Sequence, residues 1–311
     1  MPKIQYGSAV KLGKATLNII ERANMIINEY SEQGYDLTLR QMYYQFVARG
    51  FIPNKQSEYD RLGNIISRGR LAGLIDWDVI VDRTRNLRRV STWDNPFDIL
   101  NTVAEQFRTD KWQVQPYRVE AWIEKDALIG VIEGICNTWE IPHFSCRGYV
   151  SQSEMWAAAQ RIWSAYEDNK QPTILIHLGD HDPSGIDMSR DILDRLKTFI
   201  SPSHDRPDEV IKVERIALNM DQVRQYSPPP NPAKLTDSRC ENYMKFHGDK
   251  SWELDALDPP MLSSLIEGRI LDYLDLDRWN RSVAADEIEK ETLLRIATKY
   301  EGIKQFLQSK E

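Results

Sequence analysis

At 311 residues, 41% hydrophobic and 28% charged, the chain has room for two domains and the make-up of a globular protein, which excludes a fibrous or wholly disordered one. No run approaches about 18 consecutive apolar residues and the opening MPKIQYGSAV lacks an apolar signal core, so the sequence reads as cytoplasmic with no membrane partner. The net charge of −7 hides an asymmetry: residues 1–95 hold 14 Lys/Arg against 10 Asp/Glu, so the first third is about +4 and the rest about −11.

Apolar residues at helical spacing (Leu17, Ile20, Ala23, Ile26, Ile27) predict a first helix over 10–33, ended by Gly34. GSAVKLGKA, 7–15, resembles a phosphate-binding loop, but its glycines are one residue too far apart and Ala15 stands where Ser or Thr is needed. In DLTLRQMYYQFVARG, Thr38 and Gln41 form a capping-box signature, and Gly50 closes the helix. A third helix is expected from Ser57 to Ala72, and LIDWDVIVDRT, 74–84, reads as extended. Three helices and a strand-like wing make a winged-helix pattern. Seven arginines fall within 61–90, a basic stripe of the kind that contacts phosphate: Arg61, Arg68, Arg70, Arg83, Arg85, Arg88 and Arg89. The bland alternative is a solvated helix face.

After the linker STWDNP, 91–96, the texture changes. From about 117, strands (YRVEAWI, HFSCR, TILIHL, VIKVERIAL) alternate with helices, one of them announced by Ser151 and Glu154. A further helix is expected from about Met188 to Ile200. This rhythm predicts an α/β fold with a mainly parallel sheet flanked by helices. SPPPNP, 227–232, admits no regular element, and 251–311 reads as largely helical. The three cysteines, Cys136, Cys146 and Cys240, have neither disulfide nor zinc spacing. The expected organisation is a winged helix over 1–95, a linker helix over 96–112, the α/β domain over 113–275 and a helical extension over 276–311.

Chemistry concentrates at two strand ends. Glu124 closes one predicted strand, and Asp180 and Asp182 follow another in TILIHLGDHDPSGIDMSR. Ligands of open parallel sheets collect at the carboxyl ends of the strands. Carboxylates gathered there suit Mg²⁺, which is held by few protein oxygens plus water and phosphate. Asp180 and Asp182 could instead merely cap the turn and the next helix. A His/Asp transition-metal site using His177 and His181 is a further reading, weakened because His177 lies inside the strand and no third histidine has ligand spacing. On the second helix, Leu39, Met42, Tyr43 and Phe46 share an apolar face, which assigns Tyr43 to the core. Tyr44 points about 100° away, on the side of Arg40, four residues earlier.

WIEKDAL (122–128), RGYVSQSE (147–154) and LGDHDPSGIDM (178–188), in this order, resemble the Toprim module. Together with RQMYYQF (40–46) ahead of them, they are similar to the A subunit of topoisomerase VI and its relative, the meiotic double-strand-break transesterase. The short chain, with no ATP-binding B-subunit segment, looks like the compact mini-A group. The resemblance implies a CAP-like winged helix followed by Toprim, with Mg²⁺ held by Glu124, Asp180 and Asp182. It also implies that Tyr44 attacks double-stranded DNA to leave a 5′-phosphotyrosyl link, with Arg40 positioning the phosphate, in a homodimer where one protomer's tyrosine meets the other's metal. Arg68, Arg70, Arg83, Arg85, Arg88, Arg89 and Lys125 are the expected DNA-backbone contacts, and ATP-coupled strand passage would need a separate ATPase partner. Glu253 and Asp255, in SWELDALDP, are expected near the sheet edge without a catalytic role. The rival readings are a Toprim nuclease using activated water and a non-catalytic DNA-binding protein.

Overall fold

A computed structural model describes residues 3, 5–6, 12–80, 90–200, 204–233 and 236–309. The N-terminal module packs α1 (Lys14–Ser31), α2 (Leu39–Ala48) and α3 (Gln56–Leu71) around a core containing Ile26, Met42, Phe46 and Ile66. The capping box of α2 is complete: Thr38 Oγ1 accepts from the Gln41 backbone N–H, and Gln41 Oε1 from that of Thr38. Gly34 and Gly50, with φ of 81° and 68°, close the first two helices in the left-handed region. The predicted strand at 74–84 differs. Over 74–80 the chain turns, because Leu74 and Ile75 both donate back to Gly69 and Asp76 accepts from the Asp78 N–H. Only an isolated bridge joins Ile80 to Leu37, and 81–84 lie outside the described residues.

Next come α4 (Pro96–Gln106), β1 (Arg118–Ile123), α5 (Ile129–Thr138), β2 (His143–Ser145), α6 (Gln152–Asn169), β3 (Thr173–Leu178), α7 (Pro183–Ile200) and β4 (Ile211–Ala217). The four strands form one parallel sheet in the order β2-β1-β3-β4. Side-chain alternation sorts its two faces. Val119, Ala121, Ile123, Ile174, Ile176 and Leu178 join one core, and Trp122 and Leu175 the other. All six residues of β3 are buried, as a central parallel strand covered on both faces requires.

The remaining elements are α8 (Met220–Tyr226), β5 (Asn231–Pro232), α9 (Cys240–His247), β6 (Lys250–Ser251), α10 (Pro259–Leu271), α11 (Leu276–Thr298) and α12 (Tyr300–Gln308). β5 falls inside the SPPPNP stretch expected to admit no regular element; it pairs antiparallel with β6 over two residues, with Pro232 on an edge. α10 packs on α5, and α11 packs on α4. No helix among the described residues is long and apolar enough to cross a membrane.

The two modules meet through polar contacts. Tyr30 Oη and Gln45 Nε2 both donate to Asp258, at 2.8 and 2.5 Å, and Asn54 Nδ2 donates to Pro230 O and Asn231 Oδ1. Ala256 packs against the N-terminal core. This docking brings α2 to the carboxyl edge of the sheet.

Candidate active site

β1 and β3 are adjacent, and the chain leaves them toward opposite edges, so their carboxyl ends flank the switch point of the sheet. Glu124 follows β1 and its Oε2 accepts the Asp180 N–H at 2.8 Å. Two glycines permit this approach: a Cβ at Gly179 or Gly185 would lie 2.9 or 3.0 Å from that oxygen. Burial, with the Asp182 charge assisting, raises the Glu124 pKa above the ordinary carboxylate range. Asp180 Oδ1 accepts from Leu254 N–H at 2.8 Å, and Oδ2 lies 3.0 Å from Lys125 Nζ. Burial and the Glu124 charge outweigh Lys125 here and push Asp180 up to about 7.

Asp182 Oδ1 accepts from Gly185 N–H at 2.7 Å and Ser184 Oγ at 2.8 Å. That cap, with Pro183 in the first turn, starts α7 at Pro183 rather than near the expected Met188. The two histidines of the run have structural partners. His177 Nδ1 pairs with Ser189 Oγ, His181 Nδ1 with Tyr243 Oη, and His181 and Trp252 exchange backbone hydrogen bonds.

Three cations are interleaved with these acids. Arg215, on β4, donates to the carbonyls of Gly179, Asp180, Gly185 and Leu218, so it braces the acidic loop by its backbone. Burial lowers its pKa to about 10. Lys125 contacts Asp180, Glu253 and Asp255 at 3.0, 2.8 and 2.6 Å. Burial works against its charge, but the three acids prevail and raise its pKa. Arg40 binds Glu253 through Nε and Nη2, with Nε 3.6 Å from Asp255. Among the described residues, the carboxylates of Glu124, Asp180, Glu253 and Asp255 thus lie around the cations Arg215, Lys125 and Arg40.

Tyr44 is as buried as Tyr43, 3% against 5% exposed, whereas the helical wheel separated them; the C-terminal module covers the second tyrosine. Tyr43 Oη donates to Asn54 and Lys55, while Tyr44 Oη receives Asn231 Nδ2 at 3.4 Å. Arg40 does not pair with Tyr44. Burial and then the Glu253 charge push the phenol up to about 12, outweighing Asn231 and Arg40. Tyr44, Arg40, Asn231, Glu253 and Asp182 share a cleft of about 320 Å³, and Arg40 and Glu253 also border the cleft of Glu124, Lys125 and Asp180.

Of the expected DNA contacts, Arg68 is exposed, and Arg70 donates to the Trp77 and Ile80 carbonyls over the Trp77 ring. Lys125 lies inside the acid cluster rather than on an outer face. Arg83, Arg85, Arg88 and Arg89 lie outside the described residues. Glu253, Asp255, Asn231 and Arg215 belong to the site although sequence reading gave them no role. The Glu-x-Asp spacing of Glu253 and Asp255, echoing Asp180-x-Asp182, was the available signal.

Among the described residues no three His, Cys, Asp or Glu side chains are arranged to hold a metal ion as they stand. The donor chemistry nevertheless fits Mg²⁺: hard oxygens of buried acids whose charge burial disfavours, and a glycine-lined approach around Glu124 that any side chain would close. Mg²⁺ commonly takes only one or two carboxylates and completes its shell with water and phosphate. The chain matches no family model, no curated protein and no solved structure.

Proposed function

We propose that the protein is a DNA-cleaving transesterase of the topoisomerase VI A type, with a CAP-like winged helix ahead of a Toprim domain. One observation carries the reading: the Arg40–Tyr44 turn of α2 lies against the acid-lined carboxyl edge of the same chain's sheet, joined to it through Glu253 and Asn231. That edge is where parallel sheets do their chemistry. Tyr44 oxygen attacks a DNA phosphorus, the P–O3′ bond breaks, and a 5′-phosphotyrosyl link and a free 3′ hydroxyl remain. Arg40 holds the phosphate through paired N–H donors. Glu124, Asp180 and Asp182 would hold Mg²⁺, which when bound offsets charge growing on the phosphate and the leaving oxygen. Two copies of the chain cut both strands, each tyrosine working with its own chain's acids where the resemblance implies the partner's. Arg68 and the arginines of 83–89 add salt-dependent backbone affinity. A separate ATPase partner is required only for strand passage.

A second reading, hydrolysis by metal-activated water, is favoured by the raised Tyr44 pKa of about 12 and by the engagement of Arg40 with Glu253. Tyr44→Phe separates them. Purified protein is incubated with supercoiled DNA and Mg²⁺, then denatured and assayed for DNA attached to protein. The transesterase yields an adduct that Tyr44→Phe abolishes, with cleavage falling at least about a thousandfold. Cleavage that persists in Tyr44→Phe without an adduct in either protein makes the enzyme a nuclease. A wild-type protein that binds DNA and never cuts it is a binder.

A further inference from the structure

Among the described residues, the hydrogen bonds of the Glu253 carboxylate all come from Arg40, Lys125 and Asn231. Arg40 Nε lies 3.1 Å from Oε2, Arg40 Nη2 is closer still, and Lys125 Nζ is at 2.8 Å. Asn231 Nδ2 reaches Oε1 at 3.3 Å, and the same amide lies 3.4 Å from Tyr44 Oη. Two cations and an amide converging on one oxyanion beside a phenol form a receptor for a phosphodiester, whose oxygens ask for the same donors. We infer that the Glu253 carboxylate stands in the place of the scissile phosphate, as an internal occupant that DNA must displace, and that Lys125 and Asn231 are phosphate-binding residues beside Arg40.

Exposure separates the two acids of the segment. The Glu253 side chain is 22% exposed, so it can swing out without opening the core, whereas that of Asp255 is fully buried. Asp255 Oδ2, 2.6 Å from Lys125 Nζ, keeps the ammonium in place when Glu253 leaves. With Glu253 in place, Arg40 is engaged and a nearby negative charge discourages both phosphate and phenolate. Displacement frees the guanidinium, removes that charge and sets a phosphate against Tyr44. The inference takes from the proposed function only that the ligand is a DNA phosphate.

The test compares wild type, Glu253→Gln, Glu253→Asp and Glu241→Gln, the last removing an exposed charge on α9 outside the cluster. Binding of a labelled duplex is followed by fluorescence anisotropy at fixed salt without metal, and covalent adduct is measured separately with Mg²⁺. Glu253→Gln should bind about tenfold more tightly or better, Glu253→Asp should gain less, and Glu241→Gln should gain under about twofold. Should melting show Glu253→Gln unfolded, Glu253→Asp, which keeps the charge and draws it back by one methylene, decides with the same expected direction. Unchanged or weaker binding in the folded Glu253 variants, or an equal gain in Glu241→Gln, overturns the inference whether or not adduct forms. Tighter binding with no adduct in any protein sinks the transesterase and leaves the phosphate site standing.

Discussion

Glu253 and Asp180 lie within reach of one ammonium, that of Lys125, at 2.8 and 3.0 Å, yet they end on opposite sides of the ordinary carboxylate range. Burial disfavours both charges. At Glu253 the cations Lys125 and Arg40 outweigh burial and hold the acid down to about 2. At Asp180 burial and neighbouring Glu124 outweigh Lys125, and the acid rises to about 7. The difference lies in the neighbours rather than the residue type. The rim shared with α2 is compensated by Lys125 and Arg40, while at the mouth of the sheet the buried acids Glu124 and Asp180 face each other, a repulsion that a divalent cation relieves.

Lys125→Ala should break the comparison most severely. It strips the ammonium that touches Asp180, Glu253 and Asp255 together and leaves buried acids facing each other, at a cost of about 3–5 kcal/mol in urea unfolding. A loss under about 1 kcal/mol would mean that Arg40 and solvent carry the compensation. Gly185→Ala comes next. Its Cβ would lie 2.2 Å from the Asp180 carbonyl oxygen, which is backbone and cannot rotate away, so the acidic loop must shift. About 1–3 kcal/mol of stability and the Mg²⁺-induced rise in melting temperature should go together. Retention of both would show that the loop tolerates displacement.

Asp180→Asn has the smallest expected effect on stability and the sharpest pH signature. The folded pKa of about 7 exceeds the ordinary value of about 3.9, so the native state binds the proton more tightly. The stability this confers is full below pH about 4 and is lost as pH rises through about 7. In metal-free buffer the variant should lack that decline, drawing level with or above wild type in melting temperature at pH about 8. A variant that tracks wild type at every pH would assign the tightly held proton to Glu124 instead.

Much of the fold is legible in local signals. Thr38 with Gln41, and Ser151 before Glu154, mark helix starts that the structure realises within a residue. The alternating β/α texture and the strand TILIHL are found where expected. The misses have local causes. Asp182 and Pro183 carry their own N-terminal signal, and the cap they make begins α7 earlier than apolar periodicity suggests. In LIDWDVI, β-prone residues lose to the back-bonded end of α3 and the Asp76 turn. A helical wheel separates Tyr44 from Tyr43 because it knows one helix and not the module docked over it.

The chain by itself determined most of the helices and the strands of the main sheet, and that Glu124, Asp180 and Asp182 stand at strand ends, because caps, periodicity and strand length act between near neighbours. Tertiary structure alone decided which acid meets which cation. Lys125 and Glu253 are 128 residues apart, and Arg40 and Glu253 213 apart. A buried carboxylate keeps or gives up its charge according to what folding sets within a few ångströms of it, and no local pattern encodes that distance.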